Sequence, residues 1–519
     1  MNYYSRNIEF LRQQSQINLK DHECSIPVEI LYSKEEHFPI LRISKSHMKK
    51  TLNSAYSVDA EIKRWISHIK QSADAFIVIG IGTSLQVLEL SNRYPASSIF
   101  VIEPDLSFLN VIFETYDLTD FFSRHNIQLF NDASELSNYL LSGIHMTVSC
   151  LVSPGYLSVF PQSVQTVTNI TKKLIDDFVS DSATQKAIGR FLFKNTVSNL
   201  KKLMSISISP NANEKARILV AGGGPSLRKI TEVYNTDDFL IAADTSLPFL
   251  YKNGIIPDII MGIDSRNVSY LSYVGTDSSA LHLIDIGYPS FITRKIKNKI
   301  FITGNFPFAS FIDREAKCLP KYNSSPGNVG SICLQFASYF KPLFIHAFGM
   351  DFAYPNGDLY VVDSYFYNHF SFQQNRINTF LSGTTSFLCK YDLNYNEKTK
   401  SYSTPLMQKY KAFCLAQMGS LGYELLPDGT FRLKSPITSE TGAISFSNAH
   451  FPESILTSYI TSCKKLKNRL STVSDVSLLT VNEQEILRTL TPLLLQYLHL
   501  PAQERVNHAV SDILAYIAQ

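Results

Sequence analysis

Short apolar runs that end in glycine or an acidic residue alternate with helical stretches along most of the chain. Ala75–Ile79 (AFIVI) runs into Gly80-Ile-Gly-Thr-Ser84, Ile99–Ile102 ends in Glu103, Ile127–Phe130 ends at Asn131-Asp132, and Met146–Val152 is a fourth run. Strands alternating with helices at this spacing predict a parallel, Rossmann-like sheet. Ahead of it, the first 70 residues read as helical around a few strands, with Ile62, Trp65, Ile66 and Ile69 on one helical face of Ala60–Ile69.

From Phe160 to about Ser205 the period turns helical, with Leu174, Phe178, Ile188, Phe191, Val197 and Leu200 among its apolar positions. The alternation then restarts with Ile218–Ala221, Phe239–Ala243, Ile259–Ile263, Leu281–Ile286, Lys299–Thr303 and Leu343–Phe348, which predicts a second doubly wound sheet. After Gly429 a helical pattern is expected. Thr480 and Glu483 have capping-box spacing, Pro501 suits a first helical turn, and Val506, Val510, Ile513, Leu514 and Ile517 share a face. The expected fold class is α/β, with two Rossmann-like doubly wound domains and a helical C-terminal region. The expected segments are 1–160 (N-terminal Rossmann-like), 161–210 (helical connector), 211–430 (central catalytic) and 431–519 (C-terminal helical).

Composition narrows the classes. A chain of 519 residues is too long for one core. Its 48 Lys+Arg nearly cancel 45 Asp+Glu, which excludes a dominant nucleic-acid clamp. With 45% hydrophobic and 18% charged residues, disorder is excluded too. The seven cysteines, at 24, 150, 318, 333, 389, 414 and 463, are odd in number and form no CxxC, so neither a disulfide framework nor a zinc ribbon is indicated. No signal-peptide core and no apolar stretch of spanning length is seen, and a soluble cytoplasmic protein is expected.

Candidate chemistry concentrates in the second sheet. Gly222, Gly223, Gly224, Pro225 and Ser226 directly follow the strand RILV. Glycines allow close approach of backbone to a ligand, and free N–H groups at a helix start attract phosphate; a tight turn without ligand is the plainer alternative. Asp244, Asp264 and Asp351 end or follow three of the runs, where the carboxyl ends of parallel strands form a ligand crevice. They suit sugar hydroxyls or a metal, or each caps the next helix. Gly327, Asn328, Gly330 and Ser331 in the loop Ser325–Ser331 form a second candidate anion-binding helix start. A nucleotide or nucleotide-sugar site is the combined reading.

This constellation resembles the motility-associated factors, bacterial flagellin glycosyltransferases. The resemblance rests on Ala221–Leu227 (AGGGPSL), Ile241–Asp264, Gly327–Ser331 and Gly349-Met-Asp-Phe-Ala353, and extends to Asn53–Ala60, Gly80–Ser84, Phe100–Asp105 and Asn195–Leu200. It covers most of residues 1–430. It implies a sialyltransferase-like central domain that moves a nonulosonic acid, pseudaminic or legionaminic in type, from a CMP-activated donor to Ser or Thr of flagellin, in support of filament assembly and motility. Sialyltransferase loops usually read A-G-N-G-P-S, whereas this chain has Gly223 at the Asn, and Asp244 where those enzymes often carry Asn. Within this reading no metal and no cofactor is expected, and neither a nucleic-acid partner nor a membrane span. His369 is the candidate base, Tyr365 and Tyr367 are candidate donors to the departing phosphate, and Arg376 is a candidate partner for the sugar carboxylate. His346, inside LFIHAFG, reads as a core or supporting histidine.

Three other readings stand beside it. The central block also resembles thiamine and 6-hydroxymethylpterin diphosphokinases, which use ATP and Mg; Pro257–Ser265 offers only Asp264 at the strand end for such an ion. Gly80–Ser84 followed by Glu103 is a methyltransferase-like cue, although the domain is expected to be scaffold or acceptor docking. A flagellin-binding adaptor without activity is the non-enzymatic alternative.

Overall fold

The computed structural model describes residues 3–14, 27–45, 48–70, 72–95, 97–124, 126–130, 136, 147–210, 216–276, 279–304, 306–324, 327–434, 445–470, 479–497, 499–500 and 502–518. Cys24, Asn131, Asp132, Met146, Ser325 and Pro501, named above, lie outside them. Packing divides the chain into two units: Met1–Ala187 with Tyr459–Leu514, and Ile188–Ser458 with Ala515–Gln519. The expected segments 161–210 and 431–519 are each shared between the two: the 40-residue helix Pro161–Leu200 runs from the first unit into the second, and the C-terminal region changes unit at Tyr459 and again at Ala515.

In the first unit, β1 (Val28–Tyr32), β2 (Pro39–Lys45) and β3 (Met48–Thr51) form an antiparallel sheet. Next come β4 (Ala75–Ile79), β5 (Ser98–Ile102), β6 (Ile127–Phe130) and β7 (Val148–Val152), a parallel sheet in the order β6-β5-β4-β7. All five residues of β4 are buried, as a continuous apolar run between two helical layers requires. The helix Val58–Ser67 begins at the cap Ser57 and buries Val58, Ile62 and Ile66. The C-terminal helices Val481–Leu494 and most of Ala502–Ala518 belong to this unit, the former opening with the expected Thr480–Glu483 capping box.

The second unit begins its strands with β8 (Ile206–Ile208) and continues with β9 (Arg217–Ala221), β10 (Phe239–Ala243), β11 (Ile259–Gly262), β12 (Leu281–Asp285), β13 (Lys299–Ile302) and β14 (Phe344–Phe348). β9 to β14 are the six expected runs: β9 gains one residue, β10 is unchanged and β11 to β14 each lose one. Three short strands follow, β15 (Tyr354–Pro355), β16 (Asn394–Asn396) and β17 (Ser401–Ser403), then β18 (Tyr423–Leu425), β19 (Thr430–Leu433) and β20 (Phe446–Asn448). The main sheet has the order β13-β12-β11-β10-β9-β14-β19-β18, parallel from β13 to β14 and antiparallel beyond. β19 and β20 correct the expectation of helix after Gly429. Their segments are too short to carry a period, and β19 is set by pairing with β14, and β20 by pairing with β8.

Candidate active site

A doubly wound sheet opens a crevice where strand order reverses. In the second unit that point lies between β9 and β14. The turns after these strands are laced together there. Gly222 N–H donates to Phe348 O at 2.7 Å and Gly224 N–H to Gly349 O at 3.0 Å. Gly349 N–H donates to Ser226 Oγ at 3.0 Å, and Ser226 N–H to Asp351 Oδ2 at 3.2 Å. A Cβ on Gly222 would stand 2.5 Å from Gly349 O, so the crossing of two backbones is what demands glycine. This corrects the expected row of free amides. Pro225–Glu232 is a 3₁₀ helix, and of the loop's amides Gly223 N–H is the one without an acceptor among the described residues.

The three strand-end acids do different jobs, and none caps the helix after it. Asp244 is buried; Oδ2 accepts from Tyr288 O–H at 2.6 Å and Oδ1 from Thr245 N–H at 2.8 Å. Burial, with a smaller push from the Asp264 charge, raises its pKa to about 7. Tyr288 follows β12 and reaches Asp244 by crossing the end of β11, where a Cβ on Gly262 would stand 2.8 Å from the ring. Asp264 is the accessible acid. It holds Arg266 in a two-pronged pair, Nη2 to Oδ2 at 2.7 Å and Nε to Oδ1 at 3.0 Å. Asp351 is drawn to Ser226, as above, and burial raises its pKa.

The segment after β14 completes the site. Val361 N–H donates to Gly223 O at 3.0 Å, which lays Tyr360 over the glycine loop, its ring 3.3 Å from a Cβ on Gly223. Tyr365 opens the helix Tyr365–Gln373, capped by Ser364. Its phenol is held well above the ordinary range, first by burial and then by Tyr360, Asp244 and Asp264, with Arg266 opposing. That phenol therefore stays protonated and is a hydrogen-bond donor. Arg266 is thus bonded to Asp264, and Tyr360 and Tyr365 lie within electrostatic reach of the pair. The second loop contributes Asn328, whose side chain accepts from Ser331 N–H at 2.9 Å as the cap of helix Val329–Tyr339. Gly327 takes a positive φ of 70° under the Tyr410 ring, and Gly330 packs on Met350, which also touches Gly222.

Other expected residues lie elsewhere. His369 is exposed, one turn after Tyr365 and so on the same helix face. Tyr367 points the other way, packed on Phe380 at 4.7 Å between ring centres. Arg376 is exposed on the loop beyond, and the arginine at the crevice is Arg266. His346 lies within β14, with Nδ1 3.4 Å from Thr430 Oγ1, and burial lowers its pKa. Arg266 was legible only as a basic residue two places after Asp264. Tyr288 and Tyr360 carry no motif, because each is brought in by crossing a neighbouring strand end or loop. Asn195 and Asn199 brace the edge from the long helix: Asn195 Nδ2 donates to Ser265 O and Gly287 O at 3.1 and 3.0 Å, and Asn199 Nδ2 to Ile286 O and Tyr288 O at 2.8 and 2.9 Å.

Comparison with known proteins places this architecture. A family model described as 6-hydroxymethylpterin diphosphokinase MptE-like matches residues 194–357, the part that holds β9 to β14. An uncharacterized protein of Treponema pallidum (strain Nichols) is 28% identical over 118 residues, 22% of this chain and 56% of that protein, so the chain spans about half the length of this curated relative. The structure of MAf glycosyltransferase from Magnetospirillum magneticum AMB-1 matches with a TM-score of 0.55 at 14% identity, over 99% of this chain and 90% of that one. The chain has the MAf glycosyltransferase fold. The expected α/β class and the expected likeness to both families hold at this level.

The MAf-type fold contains a second strand-order reversal, in the first unit between β4 and β7. Here the crevice is filled by the protein itself. Tyr156, after β7, crosses the end of β4, with ring atoms 2.6 Å from where a Cβ on Gly80 would sit. Its hydroxyl donates to Glu103 Oε2 at 2.7 Å and accepts from Gly82 N–H at 2.9 Å. Ile81 N–H donates to the same carboxylate oxygen at 3.1 Å, and Gln86 Nε2 donates to Ile81 O at 2.8 Å. Burial raises the Glu103 pKa to about 8. The acid of the methyltransferase-like cue, Glu103, is spent on Tyr156 and Ile81. The methyltransferase-like cue is a turn closed on its own side chains.

Proposed function

We propose that the β9/β14 crevice transfers a nonulosonic acid from a CMP-activated donor to Ser or Thr hydroxyls of flagellin in the cytoplasm. One observation carries this: at a strand-order reversal Arg266 pairs with Asp264 and Tyr360 lies over the Gly223 turn, with Tyr365 close enough for Arg266 and Asp264 to act on its charge. An arginine with two protonated phenols suits a departing phosphate, to which Arg gives charge and the phenols give hydrogen bonds. The Asn328 helix start and Gly223 N–H add donors from the other wall. The bond from the anomeric carbon to the CMP phosphate oxygen breaks, a bond to the acceptor oxygen forms, and the acceptor proton passes to His369. The fold of the MAf glycosyltransferase supports transferase chemistry for this chain.

No metal step is needed in this scheme. Asp264 is paired with Arg266 and Asp244 with Tyr288, so neither carboxylate is disposed toward a cation. The diphosphokinase reading is favoured by the match over residues 194–357. Calorimetry with CMP, UDP and ATP plus Mg²⁺ separates the two: CMP binding without metal supports transfer, and preference for ATP–Mg²⁺ supports the kinase. Transfer abolished by a chelator and restored by Mg²⁺ or Mn²⁺ overturns the metal-independent scheme. A flagellin-binding adaptor binds none of the three nucleotides. A mass spectrum of flagellin from cells with and without this gene then reads the product directly.

A further inference from the structure

Residues between β14 and the helix Pro405–Ser420 form an excursion that closes on itself. It leaves through β15 and returns through β17, which pair at Tyr354↔Tyr402 and Pro355↔Ser401. Between them stand the helices Tyr365–Gln373 and Phe380–Leu388. Its own apolar cluster is small, with Tyr354, Leu359 and Leu388 as its buried members. Inside lies a cavity of about 350 Å³, walled by Tyr360, Phe366, Tyr367, Phe370, Phe380 and Leu388. That volume is at the lower end for a binding pocket, and the lining is apolar and aromatic as such pockets usually are.

The helix Tyr365–Gln373 separates this cavity from the crevice. Tyr365 faces the acids and Arg266, whereas Phe366, Tyr367 and Phe370 face the cavity. Tyr360 belongs to both walls. One helix is about 10 Å across, which is roughly three residues of extended chain. Apolar surface is also exposed on the same excursion: Leu381 lines the cavity yet is 72% exposed, Phe372 in the last turn of the first helix is 87% exposed, and Ile377 on the connection to the second helix is 90% exposed. A small metabolite has no use for that outer surface, but a polypeptide covers it.

We propose that this cavity is an anchor pocket for the protein acceptor: it takes an aromatic or large aliphatic side chain about three residues from the hydroxyl that receives the sugar. The occupant is the acceptor polypeptide, and the pocket sets which hydroxyl is presented. This rests on the transferase reading above, and goes beyond it by naming a specificity site remote from the donor.

Cys389 lines the cavity and is exposed, so it is a handle for blocking the pocket. The full-length protein is treated with N-ethylmaleimide, and binding of purified flagellin is measured by interferometry beside CMP binding by calorimetry. Cys389→Ala, treated alike, controls for other thiols, and Thr385→Trp fills the rim from an exposed position. The expected result is flagellin affinity weakened at least about tenfold by the label and by Thr385→Trp, with CMP affinity within about twofold and Cys389→Ala insensitive. Unchanged flagellin affinity after labelling, or absence of flagellin binding to the untreated protein, overturns the pocket. Loss of CMP binding in the untreated protein counts instead against the donor reading, while the flagellin measurement still decides the pocket.

Discussion

Tyr156 in the first unit and Tyr288 in the second are built into the fold in the same way. Each leaves the end of one parallel strand, passes over a glycine at the end of the next, and donates its hydroxyl to a buried acid beyond, Glu103 or Asp244. Burial keeps both acids protonated to unusually high pH. The difference lies in what surrounds the pair. At Glu103 the glycine loop's amides and Gln86 turn inward and complete a closed network. At Asp244 the pair is a floor, and above it stand the accessible Asp264 and Arg266 with two tyrosines from the segment after β14. A strand-end acid after a glycine turn is therefore a packing device first. It becomes a candidate site where further charges and donors remain open to solvent.

The comparison is sharpened most by the base. His369→Ala should lower turnover about 10²–10⁴-fold, with CMP affinity unchanged, because the imidazole acts on the acceptor proton. Single turnover at saturating flagellin reads this, and near-wild-type turnover removes His369 and makes His346 the next residue to test. Tyr156→Ala should instead cost about 3–5 kcal/mol of stability, the range for deleting a buried aromatic ring, and leave CMP affinity intact. Urea unfolding beside calorimetry separates the two effects; weakened CMP binding would mean that the first crevice takes part.

Glu103 gives a pH test of the closed crevice. Its folded pKa, about 8, lies above the ordinary 4.5, so the folded protein binds the extra proton. Stability from this group is fully present below about 4.5 and is lost as pH rises through about 8, on the order of 5 kcal/mol in all. Glu103→Gln should flatten that fall in a urea series from pH 5 to 9; a slope equal to wild type would mean that Glu103 is ionised in the fold. The smallest effect is expected at Asn195→Ala, which frees the Ser265 and Gly287 carbonyls and loosens the Arg266 turn. CMP affinity should weaken roughly three- to tenfold, and no change would make Asn195 a purely structural brace.

Much of this was readable from the chain. Parallel strands are continuous apolar runs here, so β4 to β7 and β9 to β14 announced themselves, and Glu103, Asp244 and Asp264 stand just past strand ends as read. What escaped depends on long-range crossing. Tyr288 serves Asp244 only because β12 lies two strands away with Gly262 between, and Tyr360 reaches Gly223 only through the Val361–Gly223 hydrogen bond. The glycine loop was located correctly but its amides were not: Gly222 and Gly224 are consumed by the β14 turn, a pairing no local pattern encodes. Tyr367 and Tyr365 are two residues apart, and helical geometry sends them to opposite faces.

The central claim is that Arg266 and its neighbours form a CMP-phosphate site, and calorimetry of CMP against the full-length protein and Arg266→Ala tests it most directly. The account predicts metal-independent CMP binding, tighter than UDP or ATP–Mg²⁺, that weakens about 10–100-fold in Arg266→Ala, the worth of a charge-assisted hydrogen bond. Equal CMP affinity in the two proteins, or tighter binding of ATP–Mg²⁺ to the wild type, would contradict it.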